Sequence, residues 1–185
     1  MIPQKWIATF DDDVVFLITG QFKKIPTFKN KLKNALKFKK PVLVLRFNED
    51  QEDQEQVVEI SQKFCKKNNI PLVLNIPNKW SIRCDGIHLK SNELDKNPRK
   101  DKILGASCHN KNDIQAAINL GADYIFLSPI IAKAESQPIG WDAYFELCLM
   151  FPNIKIIPLG GVNEMNSMTD SYAGISHWWD LQTSQ

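Results

Sequence analysis

The sequence predicts a parallel α/β protein, a TIM-type (β/α)8 barrel. Three observations carry that expectation. Short apolar runs occur as unbroken blocks rather than alternating with polar residues, as in strands buried on both faces. Stretches with helical apolar spacing separate several of them, and eight such runs can be counted. The unit Ile103 to Pro129 shows the pattern most fully. Its two strands, Ile103–Cys108 and Tyr124–Pro129, flank a segment whose Ile114, Ala117, Ile118 and Leu120 share one side. Gly121 can end that helix with a positive φ.

The remaining elements follow in chain order. Residues 1–13 read as a short leader whose Trp6, Ile7 and Phe10 cover one end of a core. The first strand is Val14–Thr19, closed by Gly20. Thr27 is a candidate cap for a helix with Phe28, Leu32, Ala35 and Leu36 as its apolar stripe. The lysines among them, with Lys39 and Lys40 beyond, read as a solvated face. The second strand is Val42–Phe47, with Arg46 set into it. Gln51–Lys67 is the next helix, buried through Val57, Val58, Ile60, Phe64 and Cys65. Strands at Pro71–Asn75 and Gly86–Leu89 follow, joined by a connection that Trp80 and Ile82 pack. Lys90–Lys102 has room for only a turn or so of helix. After the central unit come a loop at Ile130–Ile139, a helix at Trp141–Met150 and a strand at Lys155–Leu159. An eighth strand at Ala173–His177 leaves only a short tail. The expected barrel is therefore lean, with short helices and a shortened C-terminal end. A doubly wound open sheet is the competing architecture, since strand counting alone fits both.

At 185 residues the chain has the length of one domain. Apolar content of 43% and charged content of 24% are ordinary for a globular protein. A net charge of +2 gives no reason to expect a nucleic-acid partner. No apolar run approaches the ~18 residues of a membrane span. The start lacks the pattern of a secretion signal, so a cytoplasmic location is expected. Cys65, Cys84, Cys108 and Cys148 form no CxxC pair, and the sequence assigns no metal, no cofactor and no disulfide. Trp178 and Trp179 near the end suggest either a packed tail or the surface of a homodimer.

In parallel α/β folds, ligand-facing groups lie at the carboxyl ends of strands. Reading those ends gives Arg46, Asn75, His88, Glu93, Ser107, His109, Ser128, Gly160, Gly161 and Ser176. Gly160-Gly161 after the seventh strand lets backbone N–H groups approach an anion, or simply makes a tight turn. His109 is a candidate general acid–base, because imidazoles as a class titrate near neutral pH, or else a hydrogen-bonded surface histidine. His88 lies within a strand and reads as structural. His177, among tryptophans, reads equally as packing. Arg46 in an apolar strand needs a partner or a pocket. Asn75 either orients a heterocycle or caps a loop.

The runs FLIT (16–19), VLRF (44–47), PLVLN (71–75), DGIHL (85–89), LGASCH (104–109), GADYIFLSPI (121–130), PLGGV (158–162) and AGIS (173–176) resemble the thiamine-phosphate synthase and thiazole tautomerase superfamily. The likeness runs in order from residue 14 to 177. The LSP, IGW and GGV pattern is also similar to the synthase-like domain fused to Nudix hydrolases in some bacteria. The resemblance implies a TIM barrel and a small phosphorylated heterocycle as ligand. It places Arg46, Asn75, Ser107, Ser128 and Lys133 at substrate, and Gly160, Gly161, Ile175 and Ser176 at phosphate.

Departures from the family pattern are as informative. The family's QLREK becomes Val44, Leu45, Arg46, Phe47, Asn48, and of its four polar residues only the arginine is kept. Its Asn-Asp pair becomes Asn75-Ile76, and isoleucine cannot ligate magnesium. Glu93 falls near a second family acid. Lys133, Glu135 and Ser136 stand about where the family offers threonines and a lysine. The tautomerase branch carries GxSxH with an acid–base histidine, and Ser107-Cys108-His109 supplies its end. The resemblance therefore implies tautomerase-like proton transfer by His109. A non-catalytic binding descendant and a synthase with a rearranged site are the alternatives.

Overall fold

A computed structural model of the protein describes residues 13–47, 50–76, 83–96, 101–131 and 137–181. Eight parallel strands make up its sheet. They are β1 (Val15–Ile18), β2 (Pro41–Arg46), β3 (Leu72–Asn75), β4 (Gly86–Leu89), β5 (Ile103–Cys108), β6 (Tyr124–Leu127), β7 (Lys155–Pro158) and β8 (Tyr172–Gly174). Helices α1 (Ile25–Leu32), α2 (Gln54–Asn68), α3 (Lys111–Asn119), α4 (Trp141–Met150) and α5 (Ser176–Trp179) pack outside it. The strand order is β7-β6-β5-β4-β3-β2-β1-β8. No reversal of order occurs, so the sheet is not doubly wound. β8 pairs with β1 and touches β7 at the remaining seam, giving the expected barrel.

Alternation along the strands explains why the runs are unbroken in apolar character. Phe16 and Ile18 of β1, Val42 and Val44 of β2, Val73 of β3, Ile103 of β5 and Tyr124 and Phe126 of β6 fill the barrel interior. Their neighbours Leu17, Leu43, Leu45, Leu72 and Leu74 face α1 and α2. Leu104, Ala106, Cys108, Ile125 and Leu127 face α3 and α4. Both faces are buried, so both need apolar side chains.

The N-terminal end of the barrel carries a repeated clasp. The Asp85 carboxylate, just before β4, accepts the Leu72 N–H of β3 at 3.0 Å. Asp123, just before β6, accepts the Leu104 N–H of β5 at 2.8 Å. The Ser171 hydroxyl, just before β8, accepts the Val14 N–H at the head of β1 at 3.1 Å. Each satisfies a strand-start donor that would otherwise lack a partner.

Several expectations need correction. The eighth strand is Tyr172–Gly174, and Ser176–Trp179 turns into a short helix. The reason is the tail: Trp178 Nε1 donates to the Ile18 carbonyl at 2.9 Å, and Trp179 Nε1 to that of Gln21 at 3.0 Å. Both tryptophans are buried, so the packed tail is realised and neither ring offers a dimer surface. The first helix starts at Ile25, with Pro26 in its first turn, rather than after Thr27. The expectation of no more than a turn or so in Lys90–Lys102 is met, since its described residues hold one turn of 3-10 helix at Ser91–Glu93. Trp80, Ile82, the leader residues Trp6, Ile7 and Phe10, and Lys133, Glu135 and Ser136 lie outside the described residues. No helix among the described residues is long and apolar enough to cross a membrane.

Candidate active site at the barrel mouth

The carboxyl ends of β2, β6, β7 and β8 enclose a cavity of about 570 Å³. Arg46, Ser128, Gly160, Gly161, Ile175 and Ser176 all line it. Five residues read from the ends of four strands, with Ile175 from the family resemblance, therefore line one cavity. Arg46 ends β2 with its side chain exposed rather than buried in the sheet. Thr19 fixes that strand end, its Oγ1 accepting the Arg46 N–H and donating to the Arg46 carbonyl, each at 2.8 Å. Arg46 also borders a second hollow of about 590 Å³ between the loops after β1 and β2.

Gly160 and Gly161 have φ of +90° and +74°. A Cβ at 160 would stand 2.8 Å from the Pro129 Cα, and one at 161 would stand 2.8 Å from the Ile131 Cβ. The pair thus lets the loop after β7 pack on the loop after β6, and that requirement holds whatever the cavity binds.

His109 lies just beyond β5, with Ser128 just beyond β6. His109 Nδ1 is 2.7 Å from the Ser128 carbonyl oxygen. A carbonyl only accepts, so Nδ1 carries the proton and Nε2 is left as the basic nitrogen. The backbone is held as well: the His109 N–H donates to Asp113 Oδ2 at 2.8 Å, and Asn110 Oδ1 caps α3 by accepting the Asp113 N–H. The imidazole is exposed and does not itself line the cavity; its link to that lining is the contact with Ser128. Cys108 points the other way, into the helix layer, where burial pushes its thiol up to about 12. It is no nucleophile for His109.

Asn75 and Ser107 are not among the residues that line this cavity. Asn75 is buried and its Nδ2 donates to the His88 carbonyl at 2.8 Å, tying β3 to β4. Ser107 is half-buried at the top of the interior, its Oγ 2.9 Å from His88 Nε2. Glu93 turns back on its own 3-10 turn, accepting the Lys90 N–H at 2.9 Å and pairing with Lys96. His177, for which the sequence left packing and chemistry equally open, also lines the cavity, and its Nε2 stands 3.2 Å from Glu164 Oε1. Its place directly after Ser176 was the available signal. Asp180 lines the cavity too and is held by Lys31 at 2.9 Å.

A family profile described as thiamine monophosphate synthase matches residues 15–178. The chain belongs to that family. Thiamine-phosphate synthase of Prochlorococcus marinus is 34% identical over 145 residues, covering 71% of this chain and 40% of that protein. The enzyme of the same name from Lysinibacillus sphaericus is 28% identical over 123 residues, covering 61% of this chain and 58% of that one. The chain thus spans about 40% to 58% of these relatives' lengths. Among solved structures, thiamine phosphate pyrophosphorylase from Pyrococcus furiosus superposes with a TM-score of 0.71 at 18% identity, covering 89% of this chain and 86% of that one. A 2-keto-3-deoxy-6-phospho-gluconate aldolase from Zymomonas mobilis gives 0.60 at 12%, over 90% and 84% of the two chains, a likeness of fold alone.

Within the thiamine monophosphate synthase family, the departures of this chain have a structural setting. Ile76 is buried in the outer apolar layer. Phe47, in the place of a family glutamate, is buried there too. Both positions have been given to packing.

Proposed function

We propose that the chain binds a phosphorylated thiazole or related heterocycle and moves a proton on it with His109. The observation that carries this reading is the Nδ1–H bond from His109 to the Ser128 carbonyl. With the proton of the neutral ring on Nδ1, Nε2 is the atom able to take a proton from a ring carbon and return it elsewhere on the conjugated system. Gly160, Gly161, Ile175 and Ser176 hold the phosphate in the adjoining cavity, with Arg46 supplying positive charge across it. Ser107 and Asn75 orient the ring, Ser107 directly and Asn75 by bracing β4. No step in this reaction separates pyrophosphate, so it does not call on the charges replaced by Phe47 and Ile76.

The test follows aromatisation of the thiazole tautomer with wild-type protein and with His109→Ala. General acid–base catalysis contributes roughly 10²- to 10⁴-fold, and the variant should lose a factor in that range. Equal rates, or turnover by neither protein, would reject the assignment. The relatives' names supply the competing reading of a synthase with a rearranged site. Magnesium-dependent formation of thiamin phosphate by the wild-type protein would establish that reading instead. Binding of the thiazole phosphate without turnover would point to a non-catalytic descendant, for which the buried Ile76 speaks.

A further inference from the structure

A polar chain runs through the barrel interior beneath the mouth. The Tyr124 hydroxyl lies 3.2 Å from His88 Nδ1, and His88 Nε2 lies 2.9 Å from Ser107 Oγ. Tyr124 and His88 are buried, and Ser107, near the carboxyl end of β5, is half-buried. The imidazole stacks on Phe126 with centroids 4.2 Å apart, and Tyr124 stacks on Phe16 at 4.7 Å. Gly105 is shaped around the same pair: a Cβ there would stand 2.4 Å from the Tyr124 hydroxyl oxygen and 2.5 Å from His88 Nδ1. The glycine in the LGASCH run therefore makes room for a hydrogen bond, not for a turn.

We infer that Tyr124 and His88 are positioning residues that turn the Ser107 hydroxyl into a proton donor toward the ligand. A neutral imidazole donates through one nitrogen and accepts through the other, so the chain has a direction. A phenol is a much stronger hydrogen-bond donor than an aliphatic alcohol, which sets Tyr124 O–H as donor to Nδ1. Burial keeps the phenol protonated, raising its pKa well above the ordinary value. Nε2–H then donates to Ser107 Oγ. With its oxygen accepting from His88, Ser107 directs its own proton up into the mouth. The ligand must meet it with a lone pair, such as a heteroaromatic nitrogen or a carboxylate oxygen. A group offering N–H or O–H at that point is disfavoured. The choice of ligand rests on the proposed heterocycle site, whereas the polarity of the chain does not.

Long-range proton–nitrogen NMR of the His88 ring in the unliganded protein tests the polarity by itself. The proton should reside on Nε2 in the wild type and redistribute in Tyr124→Phe, which keeps the ring and its stacking. A proton on Nδ1, or on both nitrogens, would overturn the inference. So would a spectrum unchanged in Tyr124→Phe. His88→Gln is the second variant should Tyr124→Phe fold poorly, and thermal unfolding and far-ultraviolet circular dichroism check both. Titration with the thiazole phosphate and with inorganic phosphate tests the consequence. Ser107→Ala should weaken thiazole phosphate about tenfold and Tyr124→Phe a few-fold, with inorganic phosphate unaffected. Equal losses for both probes would overturn the donor role. Failure of the wild-type protein to bind either probe would instead reject the heterocycle site, leaving the ring spectrum to decide the chain.

Discussion

Gly105 separates two uses of the same residue type. The glycines at 160 and 161 serve a positive φ and a close loop contact, while Gly105 makes room for the Tyr124–His88 pair. Gly105→Ala should therefore force the phenol or the imidazole aside. Overpacking of a filled interior costs about 1–3 kcal/mol, and urea unfolding should place the variant in that range. At Gly121, where nothing lies near an added Cβ, the cost of alanine should reflect only its φ of +80°. The thiols give a second expectation at this scale. Burial pushes Cys108 up to about 12 and raises Cys65, Cys84 and Cys148 as well. Few thiolates then exist near pH 8. Alkylation followed by mass spectrometry should find all four slow to react in the folded protein and fast in denaturant. Rapid native labelling of Cys108 would contradict its place behind α3.

Strands start where the aspartate and serine clasps hold them, and Asp123 allows that device to be tested. Burial raises the Asp123 carboxyl above its ordinary range, against the lowering effect of the Leu104 N–H. The folded protein therefore holds this proton more tightly than the unfolded chain does. Its contribution to stability is greatest below the unfolded pKa and falls away as pH rises through the folded one. Asp123→Asn keeps an acceptor for Leu104 and carries no charge. It should match or slightly exceed wild type near neutral pH and converge on it in acid. Asp123→Ala leaves the strand-start N–H without its partner and should cost about 1–3 kcal/mol. Urea unfolding of both variants across pH checks the contrast, and an Asn variant as weak as the Ala variant at neutral pH would show the charge itself to matter.

The whole molecule is closed by α5. Trp178 and Trp179 bind the carbonyls of Ile18 and Gln21, Lys31 Nζ donates to the Trp179 carbonyl at 2.9 Å, and Asn34 Nδ2 to that of Leu181 at 3.1 Å. α5 thus ties β8 to β1 and α1 across the seam where the ring began. Trp178→Phe should lose the bond to Ile18 and cost about 1 kcal/mol. Trp178→Ala should cost about 3–5 kcal/mol, because it also empties a buried volume. Thermal unfolding followed by circular dichroism measures both, and near-equal losses would mean that the ring's volume contributes little.

The sequence alone determined the architecture and most of the rim. Unbroken apolar runs report strands buried on both faces, and an eightfold succession of them leaves few ways to cover every face. Residues at strand ends such as Arg46, Ser128 and Gly160 were legible for the same reason: chain order places them on one side of a parallel sheet. Strand ends do not reveal which way a side chain finally turns. Tertiary structure alone decided that Glu93 folds onto its own turn, that His177 joins the cavity, and that His88 links Tyr124 to Ser107. It also decided that the two tail tryptophans seal the molecule from within. Apart from Glu93, whose partners Lys90 and Lys96 are three residues away, those outcomes depend on contacts between residues as much as 160 positions apart, set by barrel closure, and no local spacing encodes them.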